Sequence, residues 1–242
     1  MGRAASSGLD GPLRALGAAA GVAAGALLAV FIFRLDGGGP VRPLAAVADL
    51  GIVAAFCVAH SFTASRRVKR RLERVSPALP RAAHLLVTAA GVAAIAALWQ
   101  RVGGEIWSVG GRPGAAIDVA YWLLLALGTL VILKLDALAF FGLRQERADG
   151  TFAVTGAYRI VRHPLYAVVL AAMVCTPHLG LDRLLLTAVF AAYLAAAVPR
   201  EEARLVDRFG DAYERYRTAV PGVVPGVHLG RLVTGPRSRG PE

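Results

Sequence analysis

The amino-acid sequence predicts an all-α, multi-pass membrane bundle, and three observations support this fold class. The chain has 242 residues, is 56% hydrophobic and has a mean hydropathy of +0.56, which is more apolar material than one soluble core of this size buries. Several apolar runs approach the ~20 residues that a helix needs to cross a hydrocarbon layer roughly 30 Å thick. The Lys and Arg residues lie mainly in the connections between these runs. We expect five or six membrane helices, the last two forming a hairpin, and a C-terminal amphipathic helix.

Residues 13–33 form the first apolar run, which is longer than the core of a usual signal peptide and predicts a spanning helix. Gly17, Gly21 and Gly25 recur at four-residue spacing, so one face of this helix is open to close approach by a neighbour. The second run, residues 44–62, leads into a strongly basic connection. By the positive-inside rule, this connection and the N-terminus are expected in the cytoplasm. The basic residues are Arg66, Arg67, Lys69, Arg70, Arg71, Arg74 and Arg81.

The third and fourth runs, residues 82–99 and 119–141, continue the alternation across the membrane. The connection between them has few basic residues and is expected outside. Aromatic residues typical of a membrane interface flank it, namely Trp99, Trp107, Tyr121 and Trp122. Near the inner end of the fourth run, we expect Lys134 to reach the headgroups and Asp136 to pair or face the bundle. A second cytoplasmic connection is marked by Arg147, Arg159 and Arg162.

Two shorter apolar segments, residues 164–181 and 184–198, predict a helical hairpin with both ends on the cytoplasmic side. The second segment would be roughly 22 Å long as a helix. The sequence therefore leaves open whether the hairpin tilts across the bilayer, is partly buried in protein, or dips in and returns. An amphipathic helix is expected to follow, beginning at the adjacent carboxylates Glu201 and Glu202. Its apolar face comprises Leu205, Val206, Phe209, Tyr213 and Tyr216.

Composition separates the chain into four regions and excludes several function classes. The regions are an N-terminal helix and loop (1–40), membrane helices with the basic connection (41–145), a region that carries the polar clusters (146–225) and a Gly-, Pro- and Arg-rich tail expected to be mobile (226–242). The net charge of +11 sits beside apolar segments and fits anionic membrane lipid rather than nucleic acid. Cys57 and Cys175 lie in apolar stretches, which suggests neither a disulfide framework nor a cysteine zinc site. The histidines lack metal-ligand spacing, so no metal is predicted.

Two polar clusters flank the hairpin and must meet near the inner membrane surface. Residues 158–166 gather arginines, a histidine and tyrosines at the start of a membrane helix, where free N–H groups and the helix dipole favour an anionic group such as a carboxylate. Pro164 suits the first turn of that helix. Residues 200–202 place two carboxylates at the start of the amphipathic helix, where they can also act as ordinary caps. On the residues alone, a binding site and an interfacial basic belt with helix caps are both open.

The order of several short motifs resembles a known family. The box at residues 162–166 is followed, after the hairpin, by a set of spaced residues: Glu201, Glu202, Leu205, Phe209, Gly210, Tyr213, Tyr216, Val220 and Pro221. This order resembles the integral-membrane isoprenylcysteine carboxyl methyltransferases and the phospholipid methyltransferases. Upstream motifs at residues 60–61, 99–100, 106–107 and 141–145 look like a narrower branch, the bacterial methanethiol S-methyltransferases. The likeness covers roughly residues 45 to 225, and a sister branch associated with nitrite and nitric oxide reduction has a similar opening.

The resemblance implies a methyltransferase of the bacterial cytoplasmic membrane, with both termini cytoplasmic, that uses S-adenosyl-L-methionine. The implied acceptor is a small apolar thiol such as methanethiol, with an isoprenylcysteine carboxylate or a lipid headgroup as alternatives. The cofactor-binding residues carried over are His163, Pro164, Leu165, Tyr166, Glu201, Glu202, Tyr213 and Tyr216. The residues expected to stabilise a thiolate or accept its proton are Arg162, His163 and Arg200. The oligomeric state stays open.

The sequence departs from the family pattern in three ways. Val168 stands where relatives often have glycine, and Ala137 stands where the thiol branch usually has histidine. Relatives also commonly have an arginine shortly before the acidic pair, whereas here Pro199 lies two places before the pair and Arg200 directly adjoins it. Val168 and Ala137 are the best support for a competing class of function, a non-catalytic membrane subunit or transporter that has kept the scaffold. Against a transporter, the sequence shows neither paired inverted repeats nor a charged path at the membrane midplane.

Overall fold

The fold is described from a computed structural model, which covers residues 2–35, 37–134, 137–144 and 154–226. Three of the positions discussed above, Asp136, Arg147 and the tail from residue 227, lie outside the described residues. The helices are α1 Gly2–Phe33, α2 Pro43–Ala64, α3 Arg66–Glu73, α4 Leu79–Leu98, α5 Gly111–Lys134, α6 Ala137–Phe140, α7 Pro164–Val174, α8 Leu181–Phe209 and α9 Asp211–Ala219. The strands are β1 Glu105–Ser108 and β2 His178–Gly180, and Gly156–Arg159 forms a short 3₁₀ helix.

Within the described residues, five helical segments are long and apolar enough to cross a membrane. They are residues 9–33, 43–64, 79–98, 111–134 and 181–209, and the shorter apolar helix α7 accompanies them. Many of their large apolar side chains are exposed, among them Leu44, Val58 and Leu123, as expected where lipid takes the place of water. The predicted all-α, multi-pass membrane bundle is confirmed, and the protein is an integral membrane protein.

The closest helix pair is α1 with α4, and small residues permit it. A Cβ atom added at Gly17 would lie 2.8 Å from the Cα of Ala82, and one at Gly21 would lie 2.9 Å from a methyl carbon of Leu85. A Cβ at Gly25 would meet nothing within 4 Å. The predicted close approach is therefore confirmed for the first two glycines and is wrong for Gly25.

The basic connection after α2 is not a simple loop. Residues 66–73 form α3, whose first turn is capped by Ser65 through a hydrogen bond from the backbone N–H of Val68 at 3.4 Å. Its arginines are exposed, while Val68 and Leu72 are half-buried. This arrangement suits a helix lying at a membrane surface beside anionic headgroups. We call this end of the bundle the basic end.

The two short strands mark the opposite end, which we call the strand end. β1 lies between α4 and α5, β2 lies between α7 and α8, and the two pair antiparallel with Trp107 opposite Leu179. Because β2 forms the tip of the α7–α8 hairpin, this pairing places the tip at the far side from α3. The hairpin therefore crosses the bundle, although α7 alone, with 11 residues, would span only about 16 Å.

The strand end is held together by a buried carboxylate. Asp182 is 1% exposed. Its oxygens accept hydrogen bonds from the indole N–H of Trp99 at 2.8 Å and from the backbone N–H groups of Val102 at 2.8 Å and Gly103 at 3.0 Å. Nearby, the buried Asp49 accepts from the backbone N–H of Gln100 at 2.9 Å. These contacts join α2, α4 and α8 at one level of the bundle.

The fourth apolar run is helical over Gly111–Lys134 and again over Ala137–Phe140, and the two residues between them lie outside the described residues. One predicted helix boundary differs from the structure. The expectation that an amphipathic helix begins at Glu201 and Glu202 is wrong, because α8 runs unbroken from Leu181 to Phe209 through Pro199. Proline ends most helices in water, but a membrane helix tolerates it where neighbouring elements satisfy the freed backbone groups. The two carboxylates are therefore inside a helix and do not cap one.

Candidate functional site

The α7–α8 hairpin brings the two predicted polar clusters together at the basic end. The Nε atom of Arg162 donates to Oε1 of Glu202 at 2.7 Å, and Nε2 of His163 lies 3.2 Å from the same oxygen. His163 and Glu202 are 7% and 6% exposed. A carboxylate can only accept, so the imidazole N–H that faces it is on Nε2. The result is a buried, charge-assisted cluster at the point where α7 begins.

The segment that follows α9 clamps the start of α7. The backbone N–H of Arg162 donates to the carbonyl of Pro221 at 2.8 Å, and that of His163 donates to Gly222 at 3.0 Å. The guanidinium of Arg162 also donates through Nη1 to the carbonyls of Arg217, at 2.8 Å, and of Val220. Arg162 therefore ties residues 217–222 to the start of α7 and to α8. Sequence reasoning missed this role, although the Val220-Pro221 motif was its visible signal.

The second carboxylate of the acidic pair faces a tyrosine. The hydroxyl of Tyr166 donates to Oε2 of Glu201 at 3.1 Å. The ring of Tyr166 stacks on that of His163, with 5.4 Å between centroids and 10° between planes. The stacked rings and the carboxylate give this part of the site a flat aromatic surface beside a hydrogen-bond acceptor.

The N-terminus of α7 lies directly beside this cluster. His163 is its N-cap, Pro164 is the first helical residue, and the first intrahelical bond shown there runs from the N–H of Ala167 to the carbonyl of His163 at 3.0 Å. The preceding N–H groups, those of Leu165 and Tyr166, have no acceptor within the helix. They point along the positive end of the helix dipole, which favours a carboxylate.

Three tyrosines pack beneath the cluster. Tyr213 is 2% exposed, and its ring centroid lies 5.7 Å from that of Tyr216. The hydroxyl of Tyr216 donates to the carbonyl of Tyr158 at 2.7 Å. Burial raises the pKa of Tyr216 to about 12, and burial followed by the charge of Glu202 raises the pKa of Tyr213. Burial and the charge of Glu201 also raise the pKa of Tyr158. All three are therefore neutral phenols at physiological pH.

Arg200 is the one predicted site residue that the structure leaves outside the cluster. Its side chain is exposed, and its carbonyl accepts from Nε of Arg204 at 3.2 Å along the same helix. Pro164 is buried at the helix start, and the side chain of Leu165 packs toward Gly128 of α5. The roles assigned to these residues stay predictions.

The departure at Val168 has a packing explanation. A Cβ atom added at Gly128 would lie 3.3 Å from Cγ1 of Val168. The valine side chain therefore fills the space that a glycine of α5 leaves, on the face of α7 that packs against α5. Valine at this position does not by itself count against a functional site.

The chain has relatives of known name. It is 29% identical over 200 residues to the methanethiol S-methyltransferase of Pseudomonas deceptionensis, which covers 78% of this chain and 76% of that protein. It is 30% identical over 200 residues to the methanethiol S-methyltransferase of Pseudomonas sp. (strain GM41(2012)), covering 78% and 77%. Human nurim is 28% identical over 166 residues, covering 62% and 63%.

No family model matches the chain, and no solved structure matches it. The relatives agree with the resemblance that the motifs carry, and together with the membrane helices they support a membrane methyltransferase. At 30% identity over most of both chains, this protein belongs to the methanethiol S-methyltransferase family of membrane proteins.

Proposed function

We propose that this protein uses S-adenosyl-L-methionine to methylate the sulfur of a small thiol such as methanethiol, which gives dimethyl sulfide. The observation that carries the proposal is the junction between Glu202 and the start of α7, with 2.7 Å to Arg162 and 3.2 Å to His163. It brings the two motif segments of the resemblance into one buried site. The names of the relatives support a thiol as the acceptor.

The chemistry of the site fits the cofactor. The N–H groups of Leu165 and Tyr166 at the start of α7 would hold the carboxylate of its methionine part. The carboxylates of Glu201 and Glu202 would accept from its ammonium and ribose hydroxyl groups, and the stacked rings of His163 and Tyr166 offer a surface for adenine. When bound, the cofactor supplies a methyl group on a positively charged sulfur.

The residues of the cluster mainly orient the methyl donor and the acceptor, and they exclude water. Methyl transfer is an in-line displacement, so alignment of donor and acceptor in a dry site contributes most of the catalysis. Nε of Arg162 donates to Glu202, and its Nη1 donates to the carbonyls of residues 217 and 220. We therefore assign Arg162 a positioning role rather than the thiolate-stabilising role. Glu202 keeps His163 oriented through Nε2.

The test is thiol-dependent product formation by the purified protein in lipid nanodiscs. Dimethyl sulfide is measured in the headspace after addition of methanethiol and S-adenosyl-L-methionine, and cofactor affinity is measured separately by calorimetry. The variants are His163→Ala and Glu202→Gln. Asp207→Asn serves as the matched carboxylate control, because that side chain is 72% exposed on the same helix. We expect product from the wild type and from the control. In the two site variants, we expect product to be lost and cofactor binding to be weaker.

The alternative acceptors and the non-catalytic function predict different outcomes of this test. Cofactor binding without product would refute the thiol acceptor, and a prenylated cysteine peptide and phosphatidylethanolamine vesicles would be the next substrates. Absence of cofactor binding would favour the non-catalytic reading linked to nitrite and nitric oxide metabolism.

A further inference from the structure

A second polar cluster lies on α2 and α4 and is not part of the site above. Nδ1 of His60 lies 3.0 Å from the hydroxyl of Thr88, and Nδ1 of His84 lies 2.8 Å from the hydroxyl of Thr63. The two imidazole rings face each other with 4.4 Å between centroids. Two histidines, each with its own threonine, thus form one compact group between neighbouring membrane helices.

The threonines determine which ring nitrogen of each histidine carries hydrogen. The hydroxyl of Thr88 lies 2.8 Å from the carbonyl of His84, and that of Thr63 lies 3.0 Å from the carbonyl of His60. A carbonyl can only accept, so the single hydrogen of each hydroxyl is directed to it. Each threonine oxygen must then accept from the Nδ1–H of its histidine. Both imidazoles are therefore held with hydrogen on Nδ1, and each Nε2 lone pair can accept a proton.

An apolar cavity of about 70 Å³ lies in the core beside this cluster. Its walls include Phe56 and Cys57 of α2, Val169 and Met173 of α7, and Phe190 and Tyr193 of α8. A single water needs on the order of 10–15 Å³ of such volume, so the cavity has room for a molecule of a few heavy atoms. A small apolar thiol fits this space.

The cavity adjoins the surroundings of both His60 and the start of α7, although neither histidine is among its wall residues. Tyr166, Val169 and Met173 follow one face of α7, so the cavity begins one turn beyond the tyrosine that binds Glu201. On the other side, the ring of His60 packs against two wall residues, with 5.4 Å to the ring of Phe56 and 6.4 Å to that of Tyr193. The hydroxyl of Tyr193 also lies 3.4 Å from that of Ser61.

Resting on the proposed function, we propose that the methyl acceptor binds in this cavity and that Nε2 of His60 takes the proton from its thiol. The S–H bond breaks, its electron pair stays on sulfur and the proton binds Nε2 to give an imidazolium. With the cofactor bound, the thiolate would form a bond to its methyl carbon as that carbon leaves the sulfonium, whose sulfur would keep the electron pair. The products are the thioether, the neutral cofactor sulfide and a proton on His60.

His84 lies beside His60, with 48° between the ring planes, and is one turn from Arg81, toward the basic end. The charged and titratable groups that face the pair are Arg81 on α4, Lys69 on α3 and Tyr193 on α8. A base is needed here because a thiol of ordinary pKa is mostly protonated near neutral pH, and the thiolate is the nucleophile.

The first test compares pH profiles of kcat/KM for methanethiol. His60→Ala is expected to lower kcat/KM by about 100-fold near neutral pH, within the usual range for a general base, and the deficit should shrink as rising pH supplies thiolate. Thr88→Val should give a smaller loss of the same form. Thr129→Val is the matched control, because the Thr129 hydroxyl also donates to a helix carbonyl, at 3.0 Å, but lies on a different helix, α5. Unchanged activity, or a loss equal at every pH, would overturn the assignment.

Two further measurements separate this inference from the proposed function. Nitrogen NMR of ring-labelled histidine, without cofactor, should show that His60 carries hydrogen on Nδ1 and not on Nε2. In Thr88→Val, His60 should lose this tautomer preference. A protonated Nε2 in the wild type would overturn the tautomer argument. Val169→Phe, which fills the cavity, should raise KM for the thiol and leave cofactor affinity unchanged, whereas the exposed Val174→Phe should do neither. An unchanged KM would overturn the cavity assignment. A wild type that binds cofactor but methylates no thiol would instead refute the proposed function.

Discussion

Replacing Arg162 with alanine tests whether the buried ion pair holds the site together. The change leaves the carboxylate of Glu202, 6% exposed, without its 2.7 Å partner. Breaking a buried pair from one side costs about 3–5 kcal/mol, and His163 at 3.2 Å still faces the carboxylate, so we expect about 3 kcal/mol. For a chain of this size, 1 kcal/mol corresponds to about 2–4 °C in Tm, which predicts a fall of about 6–12 °C.

The assay is thermal unfolding of the purified protein in nanodiscs, followed by intrinsic fluorescence. Arg217→Ala is the control, because the pair of Arg217 with Glu214 is 3.6 Å long with side chains 42% and 54% exposed, and such pairs contribute at most about 1 kcal/mol. Adding Glu202→Gln to Arg162→Ala should restore part of the lost stability, because the amide needs no cation. A Tm of Arg162→Ala equal to that of the control would refute the reasoning.

Three further predictions concern packing, the strand end and pH. Gly17→Ile should lower the free energy of unfolding by about 1–3 kcal/mol through overpacking, whereas Gly25→Ala should not, because it meets nothing within 4 Å; thermal unfolding of both checks this. Asp182→Ala should lower Tm and alter the fluorescence of Trp99, because three buried donors lose their acceptor; an unchanged emission and Tm would contradict it. Because the pKa of Tyr216 is raised from 10.0 to about 12, its contribution to stability is complete below pH 10 and is lost as pH rises to 12. Denaturant titrations at several pH values should therefore show that the free energy of unfolding declines less between pH 10 and 12 in Tyr216→Phe than in the wild type.

Hydrophobic runs and charge patterning were sufficient to predict the membrane helices. Each long run in the sequence corresponds to a helix in the structure, since a helix in lipid must satisfy its own backbone and needs a nearly continuous apolar stretch. The boundaries were less predictable. Pro199 looked like a helix end, but α8 continues through it, because tertiary packing can offset one lost hydrogen bond.

The meeting of the polar clusters was predictable from topology, but their internal contacts were not. A hairpin must return its ends to one side, so Arg162 and Glu202 were expected to be neighbours. Which carbonyls Arg162 would reach depends on the path of residues 217–222, and a backbone acceptor leaves no residue-specific signal in a sequence. The pairing of His60 with Thr88 was equally hidden, because the partners are on different helices whose rotation only packing determines.

The clamp between the start of α7 and residues 221–222 also affects the order in which the protein matures. Its two backbone hydrogen bonds join α7 to a segment that emerges after every membrane-spanning helix has been synthesised. The cluster around Glu202 can therefore reach its final arrangement only once α8 is inserted and α9 has left the ribosome. A nascent chain should therefore already be anchored in the bilayer while this buried cluster is still incomplete.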